Sequence, residues 1–113
     1  YDYYQMLIRF QKQLFSKQVA FNKKYSYDAV NLHPDKFFDF IYIDASHLYE
    51  DVKRDLTDWL PKLKEGGVIG LHDYAEMYGF GVVQAVDEFC IEHGFEKIIY
   101  NNNGHDVALK RKQ

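Results

Sequence analysis

The sequence predicts one small α/β domain built on a mostly parallel sheet, and two observations carry this prediction. Segments typical of strands and segments typical of helices alternate along the 113 residues, as they do in βαβ units. Acidic and imidazole side chains, at Asp44 and at His72-Asp73, directly follow two of the apolar strand segments. In open α/β sheets, ligands bind beyond the carboxyl ends of the strands.

The elements of the first third follow from the spacing of apolar residues. Apolar side chains recur on one helical face over residues 3–15, which predicts a helix. Residues 18–21 are a strand candidate, and residues 27–32 could form one helical turn. Residues 37–43 (FFDFIYI) form a nearly continuous apolar and aromatic run. Such a run is typical of a strand buried on both faces of a parallel sheet.

The most regular periodicity in the chain predicts an amphipathic helix over residues 49–63. Ser46 or His47 is expected to cap its start. Pro61 should distort its last turn, and Gly66-Gly67 should end it.

The last third predicts a strand, a helix and a hairpin. Residues 68–71 form a second apolar strand, and apolar residues over 82–90 share one helical face that stops at Gly94. Residues 97–100 and 107–109 are strands joined by a short Asn/Gly link, which predicts an antiparallel pair.

Composition argues against several classes of partner. The net charge is −3, and the only dense basic run is residues 110–112, so binding to nucleic acid is not expected. No apolar run approaches the roughly 20 residues that span a bilayer. The single cysteine, Cys90, excludes an internal disulfide and favours a reducing, cytoplasmic location. Because the chain starts at Tyr1 rather than Met, we expect a preceding segment.

Residues 38–74 read FDFIYIDASHLYEDVKRDLTDWLPKLKEGGVIGLHDY. This segment resembles the class I S-adenosylmethionine-dependent methyltransferases, in particular a branch with D-G-x-H-x-Y-E after the fourth strand and H-D after the fifth. Ala45 departs from the pattern, which has Gly there. The resemblance implies a Rossmann-like sheet with helices on both faces and a C-terminal antiparallel hairpin. In that sheet, strand 107–109 lies between strands 68–71 and 97–100.

The resemblance also implies that residues 1–113 are a partial domain that lacks the first two strands of the family. Neither the family's glycine-rich loop nor its ribose-binding acid is present. The strand at 37–43 would then have an open edge. Strand 18–21, a second copy of the chain, or an additional N-terminal segment could cover it, and we expect the last. Because the loop and the ribose-binding acid are missing, the isolated chain should bind S-adenosylmethionine weakly or not at all and be inactive.

By the same resemblance, the chain keeps two parts of the cofactor site, namely the part that contacts the adenine and the floor of the site. Ser26 and Tyr27 would contact the adenine, and Asp44 and Ala45 would form the floor.

Asp44, Asp73 and His72 are the expected metal ligands. Carboxylates at adjacent strand ends can share one divalent cation such as Mg²⁺ or Mn²⁺, and related O-methyltransferases use acids at these positions. His72 and His47 are candidate general bases. Structural roles stay open for all of them: caps for Asp44, Asp73 and His47, and packing for His72.

The expected activity is methyl transfer from S-adenosylmethionine to a hydroxyl of a small molecule or sugar, with or without a metal. An NAD(P)-binding Rossmann-type domain and a non-catalytic module are the alternatives. The expected partner is a small-molecule acceptor, without nucleic acid or membrane, and a homo-oligomer is left open.

Overall fold

The structure is a computed structural model, and it describes residues 24–44, 46–72, 74, 81–101 and 106–113. The predicted helix at 3–15 and strand at 18–21 lie outside these residues. The helices are α1 (Ser26–Ala29), α2 (Tyr49–Trp59) and α3 (Gly81–His93), and 3₁₀ turns at Val30–Leu32 and Leu60–Lys62 extend the first two. The strands are β1 (Phe38–Ile43), β2 (Leu63–Leu71), β3 (Phe95–Asn101) and β4 (Asp106–Arg111). None of the described helices could cross a membrane.

The four described strands form one sheet in the order β1-β2-β4-β3. β1 and β2 are parallel, and β4 is antiparallel to both β2 and β3. The prediction that the antiparallel strand is inserted between its two neighbours is confirmed. β3 therefore runs parallel to β2 without pairing with it, and only β4 reverses direction.

One face of the sheet carries the hydrophobic core. Helices α2 and α3 pack against this face and against each other. Leu56 of α2, Val86 of α3 and Ile69 of β2 are completely buried there. Further core residues come from the other three strands: Ile41, Phe95, Val107 and Leu109.

The prediction that β1 is buried on both faces is wrong. Ile41 packs into the core, but Phe40 and Tyr42 on the opposite face are 54% and 48% exposed. Their rings stack with centroids 6.3 Å apart and lie against Gly70, where a Cβ would come within about 3 Å of both. Because α2 and α3 lie on the other face, no described helix covers these rings.

The predicted cap of α2 is also wrong. The helix begins at Tyr49, and no side chain caps it. The Ser46 hydroxyl instead accepts the N–H of Leu48 at 3.0 Å and donates to Asp51 at 2.8 Å. Ser46 thus stabilises the turn that precedes the helix.

The helix ends earlier than predicted. Pro61 lies in the 3₁₀ turn, and Leu63 is already the first residue of β2. Gly66-Gly67 are part of β2, in a bulge where the register with β1 shifts between Phe38 and Phe40. Gly66 has φ +76°, a left-handed conformation that glycine adopts without a steric cost. The two glycines therefore form a bulge in β2 and do not end the helix.

Candidate active site

Three polar side chains meet at the carboxyl edge of β1 and β2. Asp44 follows β1 and His72 follows β2, and the backbone N–H of His72 donates to the carbonyl of Ile43 at 3.1 Å. Because β4 is antiparallel, its first residue, Asp106, lies at the same edge. This edge is where open α/β sheets bind their ligands.

His72 lies between two carboxylates. Its Nδ1 is 3.7 Å from Oδ1 of Asp44, and its Nε2 is 3.8 Å from Oδ1 of Asp106. The Tyr42 hydroxyl donates to the same oxygen of Asp106 at 3.3 Å. All three side chains are partly exposed. Asp106 could not be predicted from the sequence, because its position depends on the hairpin and the strand order.

The structure brings His47 close to this group. His47, His72 and Asp44 line one small cavity between the ends of β1 and β2 and the start of α2. Its volume of about 10 Å³ is room for about one water molecule. Both predicted bases thus line one cavity.

The predicted set of metal ligands stays a prediction. Asp73 and Ala45 lie outside the described residues, so the predicted distance between Asp44 and Asp73 stays a prediction. Among the residues that the structure describes, no three His, Cys, Asp or Glu side chains form a group that could hold a metal ion.

A groove of about 390 Å³ runs from Asp44 along β1 to α1 and α2. Ser26 and Asp44, two of the predicted cofactor residues, both line it. Its remaining walls are mainly apolar and aromatic side chains, namely Phe38, Phe40, Ile41, Tyr42, Ile43 and Trp59. A large, mostly apolar groove with a few polar groups is typical of a small-molecule site.

Asp55 is the polar residue of this groove that the sequence analysis missed. It is only 7% exposed, and the Ser26 hydroxyl donates a hydrogen bond to its carboxylate. Burial raises the pKa of Asp55, and the hydrogen bond from Ser26 partly opposes this rise. The available signal was spacing: Asp55 lies three residues after Val52 and four before Trp59, on the apolar face of α2.

Tyr27 does not line the groove. Its ring stacks on Tyr25 with centroids 5.2 Å apart, and the Arg54 guanidinium lies 4.1 Å from the ring centre. It borders a separate hollow beside Asp58. The predicted contact of Tyr27 with adenine stays a prediction, and Ser26 alone of this pair faces the groove.

A second polar cluster anchors the chain just after the site. The Tyr74 hydroxyl donates to Asp87 of α3 at 2.8 Å, and Lys97 of β3 donates to both, at 3.0 Å and 2.7 Å. Burial raises the pKa of Tyr74. These bonds hold the segment two residues beyond His72 against two other elements.

The fold is that of the class I S-adenosylmethionine-dependent methyltransferases. The described sheet order and its single antiparallel strand are those that the resemblance implied. A family model described as a methyltransferase domain matches residues 4–74, well over half of the chain, and the chain belongs to this family. This membership favours the methyltransferase over the NAD(P)-binding alternative.

The chain is also similar to several individual proteins. An uncharacterized protein of Sinorhizobium fredii, y4gI, is 41% identical over 51 residues, which are 44% of this chain and 6% of that protein. A crystal structure from Corynebacterium glutamicum has a TM-score of 0.69 at 15% identity and matches 96% of this chain. A candidate caffeoyl-CoA O-methyltransferase from Staphylococcus aureus has the same TM-score and coverage at 20% identity. At these identities the two structures show the fold.

The chain is shorter than these relatives. It spans 54% of the Corynebacterium glutamicum chain and 61% of the Staphylococcus aureus chain.

Proposed function

We propose that the whole protein transfers the methyl group of S-adenosylmethionine to a hydroxyl of a small molecule or sugar. The observation that carries this proposal is a groove beside β1 that ends at Asp44. There, at the carboxyl edge of the sheet, a histidine lies between Asp44 and a second carboxylate. Family membership supports methyl transfer, and a caffeoyl-CoA O-methyltransferase assignment among the similar structures supports oxygen as the acceptor atom.

The groove fits part of the cofactor by the chemistry of its walls. Phe38, Ile41 and Trp59 offer flat apolar surface to a heterocycle, and Ser26, Asp55 and Asp44 offer oxygen atoms to amino and hydroxyl groups. Its volume of about 390 Å³ is within the usual range for small-molecule sites. Ser26 and Asp44 would therefore hold the nucleoside, as predicted.

When bound, S-adenosylmethionine supplies a methyl group activated by the sulfonium centre, and the acceptor oxygen must lose its proton as it takes this group. In this proposal His72 receives that proton. The positive charge that the imidazole then carries is stabilised by Asp44 and Asp106, 3.7 Å and 3.8 Å away. His47 borders the same cavity and is the second candidate base.

The first experiment compares binding and methyl transfer in the whole protein. Binding is measured by calorimetry with S-adenosylmethionine, and transfer is followed with a labelled methyl group on a panel of phenols, catechols and sugars. Replacing His72 by alanine should lower kcat by about 10²–10⁴-fold, the usual contribution of a general base, without weakening cofactor binding.

His93→Ala is the matched control, because His93 lies at the end of α3, away from the groove. The proposal is contradicted if the whole protein binds no S-adenosylmethionine. A fully active His72→Ala variant would exclude His72 as the base and leave His47.

Assistance by a divalent metal is a separate part of the proposal. Asp44, His72 and Asp73 would be the ligands, and the cation would hold the acceptor hydroxyl and favour its ionised form. In that case His47, and not His72, would receive the proton. Activity should then be lost on dialysis against a chelator and return with Mg²⁺ or Mn²⁺. Asp73→Asn should weaken metal binding without unfolding the protein. Activity that survives chelation would remove the metal from the mechanism.

We also propose that the free edge of β1 is paired in the whole protein. Among the described strands β1 lies at the edge of the sheet, and backbone N–H and C=O groups of an apolar edge strand need partners. Amide hydrogen exchange tests this: the outward-facing amides of β1 should be as well protected as those of β2. Light scattering separates pairing within one chain from pairing in a homo-oligomer.

A further inference from the structure

Helix α3 carries two neighbouring carboxylates, Asp87 and Glu88, and each accepts a hydrogen bond from a tyrosine of another segment. The partner of Asp87 is Tyr74, at 2.8 Å, and the partner of Glu88 is Tyr49. A lysine completes each cluster by donating to the tyrosine and to the carboxylate. Bonds to a carboxylate are charge-assisted, and such bonds are about twice as strong as bonds between neutral groups. The proton transfer proposed for His72 uses neither cluster.

Each tyrosine lies two residues after a histidine of the candidate site. Tyr74 follows His72, and Tyr49 follows His47. Two residues of chain span at most about 7 Å, so the fixed position of each tyrosine limits where the backbone of its histidine can lie. The backbone N–H of His72 also donates to the carbonyl of Ile43 at 3.1 Å. The chain at His72 is therefore held from both sides.

We infer that Asp87 is a positioning residue, which acts through Tyr74 to keep His72 between the two carboxylates of the site. The inference rests on the proposed function, in which His72 takes the proton of the acceptor hydroxyl. A base must lie within about 3 Å of the proton's donor atom, and a displacement of about 1 Å can cost about a hundredfold in rate. Glu88 is bonded to the segment of His47 instead, so a purely stabilising role would give both carboxylates the same effect.

The test compares Asp87→Ala with Glu88→Ala in the whole protein. The two variants are matched, because each removes one carboxylate of α3 whose side chain is 42% or 35% exposed. The readout is the imidazole NMR signals of His72 and His47, recorded at one pH and assigned from the His72→Ala and His47→Ala variants. Asp87→Ala should shift the signal of His72 and leave that of His47 in place, and Glu88→Ala should do the opposite.

Methyl transfer to the same panel of phenols, catechols and sugars gives a second readout. Asp87→Ala should lower kcat about tenfold or more and leave the KM for S-adenosylmethionine unchanged, because Asp87 does not line the groove. Asp87→Asn keeps an oxygen that can accept the Tyr74 proton, so it should restore most of the kcat. Glu92→Ala is the control, because Glu92 is a carboxylate of the same helix that pairs with Lys53. It should keep the kcat and both imidazole signals.

Tyr74→Phe removes the same hydrogen bond from the other partner, and it keeps the test decisive if Asp87→Ala does not fold. It should reproduce the shift of the His72 signal and the loss of kcat. Equal shifts of both signals in the two alanine variants, or an unmoved His72 signal in Tyr74→Phe, overturn the inference, and so does an unchanged kcat. If the unaltered protein transfers no methyl group while the opposite shifts are seen, the proposed function fails and the restraint on His72 stands.

Discussion

Replacing Gly81 by alanine tests how closely the start of α3 approaches the segment that carries His47. A Cβ at position 81 would lie 2.3 Å from the carbonyl oxygen of His47 and 2.8 Å from the amide nitrogen of Tyr49. Both are backbone atoms, so no side-chain rotation relieves the clash. To reach an ordinary carbon–oxygen contact of about 3.3 Å, the two segments must move apart by about 1 Å.

Two effects of opposite sign determine how Gly81→Ala changes the free energy of unfolding. Alanine is favoured over glycine inside a helix by up to about 1 kcal/mol. Overpacking of a closely packed site costs about 1–3 kcal/mol, and a clash with backbone should lie in the upper part of that range. We therefore expect Gly81→Ala to lower the free energy of unfolding by about 1–2 kcal/mol, taking these two effects together. For a domain of about this size, each kcal/mol lowers Tm by about 4–8 °C.

Thermal unfolding followed by far-ultraviolet circular dichroism measures this loss. Gly66→Ala is the control: its Cβ would meet nothing within 4 Å, and its cost comes from φ +76° alone. Both variants should lose stability, but only Gly81→Ala should shift the amide resonances of residues 47–49. A Gly81→Ala protein as stable as the unaltered one, or more stable, would refute the close approach and leave helix propensity as the larger effect.

Three further predictions concern the core and the buried ionisable groups. Leu56→Ala should cost about 2–5 kcal/mol in urea unfolding, because Leu56 is completely buried. Tyr74→Phe should cost about 0.5–1.5 kcal/mol, since the bonds to Asp87 and Lys97 are lost. Burial raises the pKa of Tyr74 from 10.0, so its neutral form stabilises the fold below pH 10. That contribution is lost as pH rises through the folded pKa, and unfolding at alkaline pH should show a smaller decline in Tyr74→Phe. Burial likewise raises the pKa of Asp55 from 3.8, so its contribution is complete below that pH and is lost as pH rises through the folded pKa. Acidification from pH 7 to pH 4 should therefore stabilise the unaltered protein relative to Asp55→Asn, and unfolding curves with equal pH dependence would contradict this.

Local periodicity and turn chemistry were sufficient to predict the described elements. The apolar run before Asp44 is β1, the amphipathic stretch after it is α2, and the Asn/Gly link joins two antiparallel strands. The predictions were wrong where one residue type is common in two kinds of local structure. Gly66-Gly67 looked like a helix end because glycine is common there, but glycine also serves bulges, and Pro61 had already ended the helix.

The candidate site was predicted only where its residues follow strands directly. Asp44 and His72 could be placed at one edge because parallel strands end at the same side of a sheet. Asp106 begins a strand rather than ending one, and it reaches the same edge only because β4 is antiparallel. Asp55 was missed because a charged residue on an apolar face contradicts the pattern used to define that face.

The amino-acid sequence was enough to indicate the family, through the resemblance of residues 38–74, and to predict the alternation of strands and helices. The alternation depends on spacing within short segments, which the chain carries locally. The three-dimensional structure was needed to show that β1 exposes Phe40 and Tyr42, that His72 lies between two carboxylates, and that Ser26 bonds to Asp55. The exposure of Phe40 and Tyr42 depends on which face of the sheet the helices cover. The other two findings are contacts between residues that are distant in sequence. Such pairings are set by the packing of the whole sheet, and no local pattern of residues specifies them.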